Sequence, residues 1–464
     1  FDTDPAQKKI AVELYEAVRD LPIVSPHGHV DPALFGNHST GFGTPADLLI
    51  IPDHYVFRVF YSQGLRLEDF GIPRKDGSTE GIEQDHRKIW QRFAENLHLM
   101  RTTASYSWLA YEFKFVLGID EIPDAENAQK IYGEIQEKLN SAEYQPRALF
   151  KKMNIEVLST TDAAADSLAM HQEIRQSGWD GRIIPAFRPD AVVNLNTPGF
   201  KQEIEKLSRA SGLEIVDFKS YIQALENRRA FFKQMGAVST DHAIISPNTT
   251  ALSEAELDRL FSAALKGNVT AEEVAAFAGH MLNEMARMSC EDGLVMQLHP
   301  GVLRSHNSEI YNKFGVDKGD DIPVTTEFTR NLHPLLTKYG NHPNFTLCLF
   351  TLDETTYSRE LAPLAGHYPS LRLGPPWWFN DSWNGMTRFF DSVTETAGIY
   401  NLSGFVDDTR AFPSIPARHD VWRRVVANWL AKMVARSFID LQDAHELAEM
   451  LVYHQPKSVY KLNA

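Results

Sequence analysis

Short hydrophobic runs alternate with longer amphipathic segments along most of this chain. Eight of these runs have the length and composition of buried strands. They occupy residues 21–24, 155–159, 183–187, 237–240, 294–298, 345–350, 371–375 and 402–406. Many of the intervals carry apolar residues at helical spacing, as does the segment before the first run, for example at 6–19, 167–176, 221–234 and 421–436. Strands that alternate with helices in this way predict an α/β fold, a distorted (β/α)8 TIM barrel, with a doubly wound open sheet as the alternative.

The interval between the first two runs is far longer than one barrel crossover. Helical patterns recur inside it, for example at 89–97 and 131–139. We therefore predict a helical insertion between the first two strands that lies over the barrel as a lid. The expected division is residues 1–32 for an N-terminal helix and the first barrel strand, 33–150 for the insertion, and 151–464 for the remainder of the barrel.

Composition narrows the class of protein. The chain has 464 residues, of which 43% are hydrophobic and 11% aromatic, so it can bury a large core and is not a disordered chain. Two cysteines exclude a disulfide framework, and together with the absence of a long apolar run or a leader-like start they predict a cytoplasmic protein. A formal net charge of −15 argues against nucleic acid as a partner, and association into a homo-oligomer is left open.

The most informative motif is His27-Gly28-His29, which follows the first hydrophobic run. Two histidines spaced two residues apart at the end of a strand project to the same side, where their imidazoles can share one metal ion. The alternative is a pair of ordinary structural imidazoles. In a closed barrel the last strand lies beside the first, so Asp408 could supply a carboxylate ligand, although a helix cap is an alternative role for it and for Asp407.

Polar residues of catalytic type follow six of the eight runs. This distribution is typical of a barrel, because active sites form from the carboxyl ends of the strands and the loops after them. The third run is followed by Arg188, the fifth ends near His299 and is followed by Arg304, and Arg410 lies two residues after Asp408. In an acidic protein such arginines can create a local site for an anionic group.

Several ordered motifs together resemble the uronate isomerase (glucuronate isomerase) family of the amidohydrolase superfamily. The resemblance extends from about residue 8 to about residue 430. It rests on Leu21-Pro22-Ile23-Val24 with His27-Gly28-His29, Asp53-His54-Tyr55 with Arg58, Ser159-Thr160-Thr161-Asp162, Ala186-Phe187-Arg188-Pro189-Asp190, Thr240-Asp241-His242, Gln297-Leu298-His299, Pro376-Trp377-Trp378-Phe379 with Asp381, and the segment from Gly404 to Arg410.

This resemblance implies a distorted (β/α)8 barrel that interconverts D-glucuronate with D-fructuronate and D-galacturonate with D-tagaturonate. It implies that His27, His29 and Asp408 are metal ligands. It also implies that His54 and Tyr55 are active-site residues from the insertion, and that the substrate is bound by arginines. A lysine is absent from the fourth strand end, where related hydrolases hold a second metal, so one divalent ion is expected, zinc being the first choice, and whether it is required stays open.

The reaction that the resemblance implies requires residues of the same types as those in these motifs. Aldose–ketose isomerisation through an enediol needs a base, an acid and charge stabilisation on oxygen. We expect catalytic roles for Asp408, Tyr55, His54 and Arg410. The expected substrate-binding residues are Arg188, Arg410, His299, Trp378 and Arg304, with the arginine that takes the substrate carboxylate left open.

Three alternatives accompany this hypothesis. His54 and Tyr55 could be core residues, and Trp378 could be an apolar wall. A two-histidine, one-aspartate site could activate water, in which case the protein would be a metal-dependent hydrolase of a sugar-acid lactone or amide. The third alternative is a sugar-acid binding protein without turnover.

Overall fold

A curled parallel sheet of seven strands is the centre of this mixed α/β fold. The computed structural model describes residues 1–36 and 41–462. Residues 37–40 of the predicted insertion and 463–464 of the predicted barrel segment therefore lie outside the described part. Along the chain the strands are β1 (Ile23–Ser25), β2 (Ile155–Ala163), β3 (Arg182–Arg188), β4 (Ser239–Ile244), β5 (Val295–Pro300), β6 (Val302–Leu303), β7 (Ile322–Pro323), β8 (Leu347–Leu349) and β9 (Leu371–Leu373). The sheet order is β1-β2-β3-β4-β5-β8-β9.

Seven of the predicted hydrophobic runs therefore form strands, and successive pairs are parallel. The register places residues with inward side chains beside one another. Asp241 is paired with Gln297, and Ala243 with His299, on β4 and β5. Because side chains alternate along a strand, all four lie on one side of the sheet.

The prediction of an eighth strand at 402–406 is wrong as stated. In the described residues this segment makes only an isolated bridge, between Leu402 and Leu373. Gly404 interrupts it with φ +79°, and a Cβ at that position would lie 2.4 Å from a side-chain atom of Pro456. The backbone therefore turns where an extended strand would have to continue.

The same segment nevertheless hydrogen-bonds on both sides. The amide of Ser403 donates to the carbonyl of Leu373 at 2.8 Å. Farther on, the amide of Asp408 donates to the carbonyl of His27 at 3.3 Å, and the amide of His29 donates to the carbonyl of Thr409 at 2.8 Å. Residues 402–409 thus lie between the end of β9 and the residues that follow β1.

The described residues form twenty α-helices. One precedes β1, namely α1 (Pro5–Val18). Those between β1 and β2 are α2 (Pro45–Leu49), α3 (His54–Ser62), α4 (His86–Asn96), α5 (Ala104–Tyr111), α6 (Ala128–Leu139) and α7 (Pro146–Lys152). Those between β2 and β5 are α8 (Ala169–Gln176), α9 (Asp190–Val193), α10 (Phe200–Ser211), α11 (Phe218–Gln234), α12 (Glu254–Ala264) and α13 (Ala271–Asp292). The rest are α14 (Ser308–Phe314), α15 (His333–Tyr339), α16 (Ala362–Ala365), α17 (Trp383–Ala397), α18 (Ser414–Ala435), α19 (Leu441–Glu449) and α20 (Gln455–Val459).

Three hydrophobic clusters fill the part of the molecule that the structure describes. The largest joins the outer face of the sheet to the surrounding helices. A second consists mainly of residues between 23 and 183 and includes the cores of α3, α4 and α6. The third is a small inner cluster to which the strands contribute side chains in turn, among them Val24, Val157, Ile184, Val295 and Val406. Val24 of β1 and Val406 of the segment 402–409 thus share one packed interior.

Strands β6 and β7 form a short antiparallel pair, which the hydrophobic pattern did not predict, and residues 304–321 lie between them. Among the helices of the described residues, none combines the length and the hydrophobicity needed to span a membrane.

Candidate active site

A cavity of about 320 Å³ lies at the carboxyl ends of the strands. The structure brings all ten residues proposed from the sequence into its lining: His27, His29, His54, Tyr55, Arg188, His299, Arg304, Trp378, Asp408 and Arg410. They come from the ends of β1, β3 and β5, from the first turn of α3 and from loops. Seven further residues line the cavity that were not proposed from the sequence: Asp241, Ala243, Ser305, Val316, Asp317, Asp321 and Trp377.

His27, His29 and Asp408 converge on one point. The Nε2 atoms of His27 and His29 lie 3.3 and 3.0 Å from Oδ1 of Asp408. One potential ligand atom from each residue lies within 4.8 Å of the other two. Neutral imidazole nitrogens and a carboxylate oxygen are donors that suit zinc and similar divalent ions, so this trio fits a metal centre with room for further ligands.

Burial and charge act against each other at this trio. Burial favours a raised pKa for Asp408, but the imidazoles of His27 and His29 beside its Oδ1 outweigh it and hold the pKa of Asp408 well below its ordinary value. Burial alone would lower the pKa of His27, but the negative charges of Asp241 and Asp408 raise it. For His29 burial prevails, and its pKa is lowered. The carboxylate is therefore ionised at neutral pH and available to a cation.

The second oxygen of Asp408 has its own partner. The indole nitrogen of Trp377 donates to Oδ2 of Asp408 at 2.5 Å. Asp408 has φ 45°, a conformation uncommon outside glycine, and it turns away from its neighbour Asp407. The carboxylate of Asp407 instead lies 3.1 Å from Nε2 of buried His419 on α18.

Asp241 and His299 form a second buried group beside the first. Nδ1 of His299 lies 2.8 Å from Oδ1 of Asp241, and the His299 ring stacks on His27 with centroids 4.8 Å apart. His27, Asp241 and His299 also place ligand-type atoms within 4.8 Å of one another. Nε2 of His299 is buried without a hydrogen-bond partner among the described atoms.

The position of Asp241 in the cavity could have been predicted from the alternation of side chains along β4 and β5. Gln297 and His299 occupy alternate positions of β5, and their β4 partners are Asp241 and Ala243. The neighbouring His242 belongs to the opposite side of β4 and contacts the Thr240 hydroxyl at 2.9 Å. The aspartate, rather than the histidine after it, faces the cavity.

His54 and Tyr55 enter the cavity from the first turn of α3, where Asp53 is the N-cap and accepts a hydrogen bond from the Tyr55 amide. Their rings stack with centroids 4.7 Å apart. Burial, reinforced by the positive charge of Arg410, lowers the pKa of His54 to about 3, so this imidazole is neutral. Burial and the negative charge of Asp381 raise the pKa of Tyr55 well above its ordinary value, so the phenol stays protonated.

A buried arginine that no sequence motif indicated supports this part of the site. Arg418 of α18 places its guanidinium 4.8 Å from the Tyr55 ring centroid and 3.9 Å from that of Trp108. The same group donates to Asp381 Oδ2 at 3.0 Å and to the carbonyl oxygen of Asp407 at 2.8 Å. Arg418 thus connects the segment that carries Asp408 with the helix that carries Tyr55.

The three cavity arginines differ in their partners. Arg188 lies 2.7 Å from Asp190 and 3.2 Å from Asp241. Arg304 pairs with Asp321 at 2.8 Å, and its guanidinium lies 4.9 Å from the ring centroid of Trp378.

Arg410 pairs with Asp317 at 3.1 Å, and both side chains are about one-third exposed. The partner of Arg410 is therefore Asp317 and not Asp408, which lies two residues earlier in the chain.

The chain is similar to proteins of one family over its whole length. A family model described as glucuronate isomerase matches residues 5–460. A uronate isomerase from Nostoc punctiforme is 52% identical over 463 residues, which cover 100% of this chain and 97% of the relative. A crystal structure of glucuronate isomerase from Caulobacter crescentus is 49% identical with a TM-score of 0.97, covering 100% of this chain and 96% of that one. A uronate isomerase structure from Thermotoga maritima is 27% identical with a TM-score of 0.90, covering 97% of each chain.

Proposed function

Because the chain belongs to the glucuronate isomerase family, we propose that it interconverts D-glucuronate with D-fructuronate and D-galacturonate with D-tagaturonate. The observation that carries the proposal is the convergence of His27, His29 and Asp408 with Tyr55 in one cavity at the strand ends. Full-length relatives named uronate isomerase do not favour the alternative of a metal-dependent hydrolase.

The reaction removes a proton from the carbon beside the carbonyl and returns a proton to the carbonyl carbon. Asp408 is the proposed base, because its carboxylate is ionised and faces the cavity. Tyr55, as a protonated phenol, donates its proton to the carbonyl oxygen as the enediol forms. It recovers a proton from the adjacent hydroxyl when Asp408 returns its proton to the carbonyl carbon, and neutral His54 is stacked beside this transfer. Arg410 contributes positive charge to the same cavity, which stabilises the anionic sugar acid and its enediolate.

His27, His29 and Asp408 would hold one divalent ion, with zinc as our choice. Such an ion would polarise the carbonyl or hold adjacent hydroxyl groups of the sugar acid. The remaining substrate contacts are assigned to Arg188, His299, Arg304 and Trp378, which line the same cavity. His299 and Trp378 supply flat faces, and the arginines supply positive charge for the carboxylate.

We also propose that the sheet is a distorted (β/α)8 barrel in which residues 402–409 take the place of an eighth strand. Their hydrogen bonds to β9 and to the residues after β1 support this closure, as does the cluster shared by Val24 and Val406. The division into residues 1–32, 33–150 and 151–464 remains a proposal. Support for a separate helical lid comes from the second hydrophobic cluster, which lies mainly between β1 and β2.

The proposed partner is a small sugar acid, with neither nucleic acid nor a membrane involved. The acidic net charge and the three arginines that line the cavity support this assignment. The two cysteines, Cys290 and Cys348, are free and buried, which fits the proposed cytoplasmic location.

The experiment is a proton NMR assay with D-glucuronate in deuterated water, run before and after chelation of the metal. We expect a ketose product, and deuterium at the carbon beside the carbonyl would show that the transferred proton exchanges with solvent. Folded, metal-replete protein that forms no ketose would contradict the proposal. An Asp408→Asn variant separates an enzyme from a passive receptor, because it should lose turnover in the first case and retain binding in the second.

A further inference from the structure

The cationic groups at the cavity are not equally available to an anionic ligand. Arg188 is held by two carboxylates, and one of them, Asp241, is only 2% exposed. Arg304 is held by Asp321, which is also 2% exposed. At Arg188 a ligand would have to compete with the pair to buried Asp241, and the loss of such a pair is strongly unfavourable. The Arg304 side chain is 41% exposed, so a ligand can reach its guanidinium beside Asp321.

Arg410 is different. Among residues 1–36 and 41–462, Asp317 is the only carboxylate within 4 Å of its guanidinium, and side-chain exposures of 37% and 35% leave this pair in contact with solvent. Asp317 also lies 3.8 Å from Arg304. Asp317 thus lies beside both Arg410 and Arg304. Because solvent screens its ion pair with Arg410, another anion can replace the Asp317 carboxylate at little cost.

The backbone holds Asp317 in this position. Asp317 has φ 58° and belongs to the segment between β6 and β7. The pairing of residues 302–303 with 322–323 fixes both ends of this segment. Two residues later, Gly319 packs so closely against α3 that an added Cβ would lie 2.3 Å from the Arg58 Cβ. Asp317 therefore meets the arginines from an anchored loop rather than from a free one.

From this arrangement, and resting on the proposed function, we propose that Asp317 is a specificity-determining residue: it is the resident counter-ion of Arg410 and Arg304, and an anionic sugar acid displaces it on binding. A side-chain carboxylate and a uronate carboxylate offer the same two oxygens to a guanidinium. Asp317 thus sets how strongly the cavity holds sugar acids relative to neutral sugars, because it cancels the positive charge that only the acids require.

The test replaces this carboxylate without changing its shape. Asparagine tolerates a left-handed backbone, so Asp317→Asn should fold normally. The matched control is Asp180→Asn, which removes the same charge from an exposed position before the start of β3, at the opposite end of that strand from Arg188. D-Gluconate serves as the probe, because it is a sugar acid without a carbonyl to isomerise, and D-glucose serves as its neutral counterpart.

We expect Asp317→Asn to bind D-gluconate about two- to five-fold more tightly at low ionic strength, with a matching decrease of KM for D-glucuronate. The gain should shrink in high salt, and affinity for D-glucose and the behaviour of Asp180→Asn should not change. Unchanged gluconate affinity would overturn the inference, since no displacement would then occur. Weaker gluconate binding would overturn it as well, because Asp317 would then be a ligand of the sugar acid.

The binding measurement keeps this inference separate from the proposed function. If the wild-type protein fails to isomerise uronates but Asp317→Asn still tightens gluconate binding, the counter-ion role stands and the reaction assignment fails. If isomerisation is observed and gluconate affinity does not respond, the reverse holds.

Discussion

Trp377→Phe tests whether the contact between Trp377 and Asp408 organises the site. The substitution keeps an aromatic ring but removes the indole N–H that donates to Asp408 Oδ2 at 2.5 Å. Trp377 is 5% exposed, so water cannot readily replace the lost donor. A hydrogen bond to a charged group contributes about 1.5–3 kcal/mol, and the smaller ring adds a packing loss of about 1 kcal/mol.

Trp378→Phe is the matched control for this change. It loses the same ring volume in an equally buried position, but the Trp378 indole nitrogen has no hydrogen-bond partner among the described atoms. The expected loss is therefore the packing term of about 1 kcal/mol and a small further loss from the weaker contact of Arg304 with a phenyl ring. The difference between the two variants isolates the hydrogen bond to Asp408, about 1.5–3 kcal/mol.

Urea denaturation of both variants, with the unfolding free energy extrapolated to water, measures this difference. For Trp377→Phe we also expect kcat/KM with D-glucuronate to fall about 10- to 100-fold, because a partner that orients a ligating carboxylate is lost. Equal destabilisation by the two substitutions would refute the reasoning, since the Asp408 contact would then contribute nothing.

Three further predictions follow from the same geometry. Asp408→Asn should fold, because asparagine tolerates φ 45°, and should lose at least about 100-fold in kcat while still binding D-gluconate, as calorimetry can check. Chelation of the metal should lower the melting temperature, and re-addition of zinc should restore it in the wild type but not in a His27→Ala, His29→Ala double variant. Burial, reinforced by the charge of Asp53, raises the pKa of Glu112 to about 8, so the wild type should lose stability, on the order of 4 kcal/mol, as the pH rises from about 4.5 through 8. Glu112→Gln should abolish most of that loss, and melting temperatures of both proteins between pH 5 and 8.5 would show it.

Most of the sheet was predictable because buried parallel strands appear in a sequence as short apolar runs bounded by polar residues. The eighth run, at 402–406, is as apolar as the others. It does not form a strand because the backbone turns at Gly404, where it approaches Pro456 closely. Gly404 adopts φ +79° and packs against Pro456, a residue 52 positions later, and local hydrophobic periodicity carries no information about that approach.

The candidate site was predictable to the extent that it follows strand ends. His27, His299 and Arg188 lie at positions that the barrel hypothesis marks in advance. Arg418 lies in the second turn of a long helix, where an arginine usually indicates a solvated face, yet its side chain is buried. Asp317 comes from a loop without periodicity, so only the folded chain shows that it meets Arg410.

The backbone around Asp408 links these observations. Both Asp408 and Trp378 have positive φ, at 45° and 58°, which costs a non-glycine residue on the order of 1 kcal/mol or more. Such strain persists only where other contacts over-determine the conformation. Here the Asp408 amide donates to the carbonyl of His27, its carboxylate accepts from Trp377, and Arg418 holds the carbonyl of Asp407. A regular strand would satisfy the backbone at lower cost, but its direction would not aim the Asp408 carboxylate at both histidines. The irregular course of residues 402–409 is therefore best explained as the means by which the chain delivers that carboxylate to the site.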